Sequence, residues 1–306
     1  MSTTATLAET RTPGTRKPAP DGARPRAGSR FTSKAAVNVL LVVGLCYTVA
    51  PLLFVVLAAS KTASGALSGD LFSFRELDPV GNFKALIHED GGIYFRWYLN
   101  SILYAGVGAI VTGVICSAAG YAFDKYSFRG KERLYGLVLL GVLVPGTLTT
   151  LPLYLIASKI HLVNTIWAVL IPSVVSPFGV FLARVFSQSY VPTEVMEAAR
   201  IDGAGDLKVF RSIGLPLLKP GLATIVLFQF SAIWNSFYLP YVMLNNEKLF
   251  PVSLGLYIWN YQADTESPTF IAQVLTGSAL AILPIIVIFI ALQRYWRSGL
   301  NAGAVK

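Results

Sequence analysis

The side chains able to do chemistry are few and scattered. His88 and His161 are the only two histidines, and both read as solitary loop residues. No Cys/His spacing suits a metal, and no Ser/His/Asp set suits acyl transfer. Cys46 and Cys116 lie inside long apolar runs, where a thiol behaves as a small core residue. The one Gly-Lys pair, Gly130-Lys131, is followed by Glu132 and lacks the upstream glycine of a phosphate-binding loop. Six long windows carry no Asp, Glu, Lys or Arg at all, so a proton relay at membrane depth is not expected, although backbone carbonyls could still bind Na⁺. This chain is therefore not expected to be an enzyme or to bind a cofactor. Any ATP hydrolysis serving it must belong to another chain.

The elements that frame these residues follow from composition. The chain has 306 residues, of which 54% are hydrophobic and 13% charged, and its mean hydropathy is +0.59. That is too apolar for a soluble domain of ordinary makeup. The six windows are 35–60, 97–123, 134–158, 163–183, 220–246 and 267–293. Each is long enough to cross a hydrocarbon core of about 30 Å as a helix. None alternates as a barrel strand would. The expected fold is all-α and integral to the membrane, with six transmembrane helices and kinks or span ends at Pro51, Pro145, Pro172 and Pro284. Residues 1–33, rich in Pro, Gly, Thr and Arg, read as a disordered basic tail. Residues 34–306 form the membrane domain.

Charge sets the expected orientation. The odd-numbered extramembrane segments carry 19 Lys and Arg, against 6 on the even-numbered ones. Basic residues concentrate on the cytoplasmic side, so both termini are expected there. The net charge of +9 is thus a topology signal, and nucleic-acid binding is not expected. On the second span, Ala105, Ala109, Gly113 and Ser117 recur every fourth residue. They make a face where another helix can approach closely.

The segment 190–219 between spans four and five is the most informative part of the chain. Pro192-Thr193 opens a helix with Glu194 in its first turn. Gly203-Ala-Gly205 ends it, and Asp206 is placed to cap a second short helix whose Leu207, Phe210 and Ile213 share a face. Pro216 stops that helix. Such an apolar face either docks a partner, packs on its own bundle, or lies along the membrane surface.

Here the sequence resembles a known family. Glu197-Ala198-Ala199, Asp202-Gly203-Ala204, Phe210, Ile213, Leu215-Pro216-Leu217 and Pro220 resemble the EAA loop of bacterial ABC-importer permeases. The resemblance continues in Arg96-Trp97, Asn100-Ser101, Ala119-Gly120-Tyr121-Ala122-Phe123, Leu151-Pro152-Leu153-Tyr154, Asn164-Thr165, Trp234-Asn235 and the tail Gln293 to Lys306. It covers residue 34 to the end and is closest to the maltose-permease-like branch of carbohydrate uptake. Asp124, where a small residue is expected, and Gly205, where serine is common, are the departures.

The resemblance implies a type I importer permease in a bacterial inner membrane, moving a sugar or oligosaccharide inward by alternating access. It implies a second homologous permease, an ABC ATPase dimer holding ATP-Mg, an extracytoplasmic solute-binding protein and surrounding lipid. The binding protein is expected on the segments around Leu67–Phe95 and Leu244–Phe270. Glu197, Ala198, Ala199, Asp202, Gly203, Ala204 and Phe210 would serve ATPase coupling. Trp234, Asn235 and Tyr238, some 15 residues beyond Pro220, are the candidates for the solute path, because aromatic faces and neutral amides suit an uncharged polyhydroxyl solute. The same machine for glycerol phosphate or a polyamine is the alternative, and a self-contained carrier or channel ranks after it.

Overall fold

The protein is described by a computed structural model covering residues 27–67, 76–265 and 270–302. Most of the N-terminal tail, the last four residues and parts of the two segments expected to meet a binding protein lie outside the described residues. The chain divides into two compact units, 1–51 and 52–306. In the first unit the described residues are helical, and every side chain from Lys34 to Ala50 is exposed except half-buried Val49. Cys46 is therefore exposed, not a core thiol.

The helices are α1 (Ala27–Ala59), α2 (Ala63–Leu67), α3 (Pro79–His88), α4 (Ile93–Lys125), α5 (Lys131–Leu143), α6 (Gly146–Lys159), α7 (Ile166–Ser173), α8 (Pro177–Tyr190), α9 (Thr193–Ile201), α10 (Asp206–Val209), α11 (Leu215–Leu217), α12 (Lys219–Trp234), α13 (Tyr238–Met243), α14 (Val252–Thr265), α15 (Phe270–Ala281) and α16 (Leu283–Ala302). A one-bridge antiparallel pairing of Lys61 with Leu77 leads into α3. There Asp78 caps the helix by accepting from the Gly81 amide at 2.9 Å.

Among the described residues, four stretches are long and apolar enough to cross a membrane: 34–59, 93–125, 166–190 and 270–295. Two bent helix pairs pass the same test of length and composition when each is taken together. Helices α5 and α6 meet at 105°, and the segment 206–217 meets α12 at 74°. The first bend is at Pro145, one of the expected kinks. Its ring fixes φ and it has no N–H to donate, so α5 ends at extended Val144. Pro51 leaves α1 unbroken, Pro172 lies near the end of α7, and Pro284 sits in the first turn of α16. The expected helix 220–246 ends earlier, at Trp234. Asn235 closes it, with its amide N–H and its Nδ2 both donating to the Ser231 carbonyl at 3.1 and 2.8 Å.

The centre of the larger unit is α4. Its expected small-residue face is real: Ala105, Ala109, Gly113 and Ser117 are all buried. A Cβ on Gly113 would lie 2.6 Å from Val226 on α12. A Cβ on Gly120 would lie 2.5 Å from both the Cβ of Ala183 and the backbone nitrogen of Arg184 on α8. Three helices can cross this closely because α4 presents little or no side chain at these points. Polar groups reinforce the α4–α8 crossing. Asp124, the departure from the family pattern, accepts from Ser187 Oγ at 2.7 Å and pairs with Lys125 at 3.0 Å. The Arg184 guanidinium ties α8 to α5 instead, lying over the Tyr135 ring at 3.9 Å.

The opposite end of α4 carries an aromatic core. Trp97 and Trp259 rings lie 4.7 Å apart, and Tyr94 stacks on Trp259. Each buried polar tip has a partner: Tyr94 Oη donates to Gly277 O at 2.8 Å, Trp97 Nε1 to Glu247 O at 2.8 Å and Tyr104 Oη to Leu249 O at 3.0 Å.

Replacing Gly120 with valine is expected to destabilise the chain by about 1–3 kcal/mol or more, because the added atoms meet backbone and not a yielding side-chain end. A fall in the detergent-solubilised melting temperature checks this. Gly136→Ala, at a glycine with open space around its Cβ position, should leave the melting temperature unchanged.

Candidate functional site

Two places at opposite ends of α4 collect the residues singled out by sequence. The first is the segment 193–218. Thr193–Ile201 forms α9, and Gly203 follows with φ +83°, the left-handed turn expected of this glycine. Asp206 is not the cap of the second helix. Gly205 occupies that position, and Asp206 instead holds Arg200 through Nε and Nη2 at 3.2 and 3.0 Å. A carboxylate within reach of a guanidinium satisfies two donors at once, which a single amide cap cannot match. Nor does Pro216 stop the segment. Residues Phe210–Gly214 form a π turn, α11 continues through Pro216, and the direction changes at Leu218.

The segment has an inner and an outer side. Met196 and Val209 are buried in one cluster with Tyr121, Val191 and Leu218, and Ala199, Ala204, Phe210 and Ile213 pack against it. The expected apolar face thus covers the chain's own bundle. Leu207, expected on that face, points outward instead. The outer side presents Glu197, Ala198, Asp202 and Gly203. Beside them stand two large apolar residues, Ile201 (86% exposed) and Leu207 (70% exposed). Sequence reasoning assigned Ile201 no role. Its signal was available, since Met196 at i−5 already filled the inner face of a short helix.

The second place is the far end of α12. Trp234 is 2% exposed. Its Nε1 donates to the Ala281 carbonyl at 3.0 Å, its ring stacks on Phe230 at 5.6 Å and Tyr98 meets it edge-on. Trp234 is thus part of the core, while Asn235 and Tyr238 are exposed. Around them lies a set of rings the sequence did not gather. Phe237 lies 5.1 Å from Tyr257, Tyr241 5.9 Å from Tyr257, and Phe237 6.5 Å from Tyr238. All four are exposed. Tyr257 comes from α14, so only folding brings it to α13.

The loop 244–252 between these elements is held by side chains of α4. Arg96 Nε donates to Lys248 O at 2.8 Å, and Asn100 Nδ2 donates to Lys248 O and Phe250 O at 2.9 and 3.0 Å. Ser101 Oγ accepts from the Val252 amide at 2.7 Å. From the other side, Asn164 Oδ1 accepts from the amides of Asn245 and Asn246 at 3.0 and 2.8 Å. Its own amide donates to Met243 O at 2.8 Å. The motif residues Arg96, Asn100, Ser101 and Asn164 are therefore fasteners of this loop.

Helical packing of this kind, with one ordered segment on an end of the bundle, defines a class that comparison with known proteins identifies. Residues 109–300 match the family described as binding-protein-dependent transport system inner membrane component. The chain is 33% identical to the arabinooligosaccharides transport system permease protein AraQ of Halalkalibacterium halodurans, over 87% of this chain and 96% of that one. It is 31% identical to the maltodextrin transport system permease protein MdxG of Bacillus subtilis, over 91% and 98%. Its fold is similar to a chain in the crystal structure of a bacterial ABC transporter involved in the import of the acidic polysaccharide alginate, with a TM-score of 0.73, 23% identity, and 90% and 99% of the two chains covered. The protein is a membrane-embedded permease with the ABC-importer fold. The chain belongs to the family of binding-protein-dependent transport system inner membrane components.

Asn164→Ala is expected to free the amides of Asn245 and Asn246, each losing an exposed hydrogen bond with a net worth of about 0.5–1.5 kcal/mol. Amide hydrogen exchange at those two positions should rise. Asn164→Asp, which keeps the acceptor oxygen, should leave it low.

Proposed function

We propose that this chain is the permease subunit of an ATP-driven sugar or oligosaccharide importer, with the segment 193–218 as its coupling element on the cytoplasmic side. The orientation rests on the bias of 19 basic residues against 6. The observation that carries the reading is the two-sided build of that segment. Its inner side is anchored in the bundle through Met196, Val209 and Phe210. Its outer side leaves Ile201 and Leu207 uncovered beside Glu197, Ala198, Asp202 and Gly203. Large apolar side chains on a rigid, water-facing edge mark a surface meant for a protein. In a family of ATP-driven permeases, the partner is the ATPase subunit.

In this reading the small Ala198 and the Gly203 turn let the ATPase surface approach closely. Glu197 and Asp202 meet basic groups there, and Ile201 and Leu207 fill apolar recesses. Ala199, Ala204 and Phe210 hold the segment to its own bundle. A second, homologous permease completes the pore, and a binding protein delivers solute to the far side. ATP-Mg is bound by the ATPase, whose closure shifts the permease helices between outward-open and inward-open packings.

The solute path on this chain begins at Asn235 and Tyr238 and extends to Phe237, Tyr241 and Tyr257. Trp234 supports the path from the core and does not touch solute. Ring faces pack on the C–H surfaces of a pyranose while phenol and amide groups meet its hydroxyls. No Asp, Glu, Lys or Arg interrupts residues 220–246, which favours a neutral sugar over a phosphate ester or a polyamine.

The test is copurification. An affinity-tagged chain, expressed with its ATPase and second permease, is expected to bring down the ATPase. Glu197→Lys and Ile201→Asp should each release it while the chain still inserts in the membrane. Full ATPase retention in both variants would overturn the coupling role. Tyr257→Ala should leave the ATPase bound and lower uptake of a neutral oligosaccharide by about tenfold, equivalent to about 1.4 kcal/mol.

A further inference from the structure

The chain joins the segment to the bundle only at its two ends, to α8 through Val191-Pro192 and to α12 through a 74° bend at Leu218. A push on its outer side would then pivot it about those two joints. A lever needs an attachment between them, and one side chain is built to supply it. Tyr121, in the last turns of α4, is 1% exposed. Its Oη lies 3.5 Å from Met196 Sδ, placed to donate to it. Its ring lies 4.9 Å from Phe210 and 5.7 Å from Tyr126. The Cε2 of the same ring lies 2.7 Å from where a Cβ on Gly214 would be. One residue thus touches α9, both ends of the π turn and the loop before α5.

The backbone is shaped around this ring. The π turn Phe210–Gly214 inserts an extra residue per turn, and it sets the bare Cα of Gly214 against the ring while the Phe210 side chain packs on the same ring. A second layer closes behind it. Tyr126 Oη reaches Asp206 O at 3.5 Å, and Asp206 is the partner of Arg200. On α4 itself, Gly120, next to Tyr121, is the residue locked against α8. Displacement of the segment therefore loads α4 directly.

Resting on the transport reading above, we infer that Tyr121 is the positioning residue that latches the coupling segment to α4. The segment and α4 move as one body, and motion reaches the loop 244–252 through Arg96, Asn100 and Ser101 at the other end of the same helix. Packed interiors pass on such motion because side chains at close-packed density have no slack to absorb it.

The experiment measures one distance in the assembled transporter. Spin labels are placed at Ser212→Cys in the π turn and Leu99→Cys near the other end of α4, both exposed positions, in a Cys46→Ala, Cys116→Ala background. The complex with ATPase and second permease is examined without nucleotide and trapped with ATP, magnesium and vanadate. The expected result is one unchanged distance in both states for the wild type and for Tyr121→Phe, which keeps the ring. Tyr121→Leu should show a shift of about 5 Å on trapping, the size of one helical turn, with the ATPase still bound. A wild-type distance that changes on trapping would overturn the latch, as would a Tyr121→Leu distance that does not. Gly214→Val, which displaces the ring from the segment's side, gives the same test if Tyr121→Leu fails to assemble. Absence of the ATPase from the wild-type complex would overturn the transport reading and the latch together. ATPase binding with unchanged distances in every variant would overturn the latch alone.

Discussion

Where α4 crosses α8, one added methyl group on Gly120 would stand 2.5 Å from the Ala183–Arg184 backbone. Every other arrangement in the larger unit hangs on that near-contact and on the similar approach of α4 to α12 at Gly113. Between apolar helices in a membrane, burying hydrocarbon gives little net drive. Close van der Waals packing must hold them, and small residues allow it. With α4 fixed between α8 and α12, its two ends become fixed reference points. One end holds the segment 193–218 through Tyr121, and the other holds the loop 244–252 through Arg96, Asn100 and Ser101.

Polar groups do a different job from the glycines. Around the loop 244–252, hydrogen bonds run from helix side chains to backbone carbonyls and amides far away in sequence. Trp97 to Glu247 and Tyr104 to Leu249 are of this kind, and Asn164, in the turn between α6 and α7, accepts from Asn245 and Asn246. A loop of that length makes few backbone bonds of its own, and each unsatisfied buried group would cost about 1–3 kcal/mol. Side chains from rigid helices meet that need and fix the loop's position at the same time. This explains why residues that look like binding candidates in a motif, such as Asn100 or Asn164, turn out to fasten the chain to itself.

Much of the architecture is legible in the amino-acid sequence. The windows without charge fall on the apolar helices, because a charged group at membrane depth is costly whatever its neighbours. Gly203 is readable as a left-handed turn because only its own backbone decides that. Local capping is less readable. Asp206 has the look of a helix cap, but Arg200 six residues earlier competes for the same carboxylate and takes it. The end of α12 at Trp234 escapes a reading by charge, because residues 235–246 carry none and so resemble more membrane helix.

Sequence by itself thus determined the membrane class, the apolar windows, the charge asymmetry and the motif-bearing segment. Each of these follows from the chemistry of a residue and its near neighbours along the chain. Only the tertiary structure decided which side of the segment 193–218 faces inward and that Trp234 is buried while Tyr238 is not. It alone brought Tyr257 beside Phe237, and Tyr121 against Gly214. Those facts depend on residues many positions apart meeting at close-packed distance, and no local periodicity encodes which face meets which.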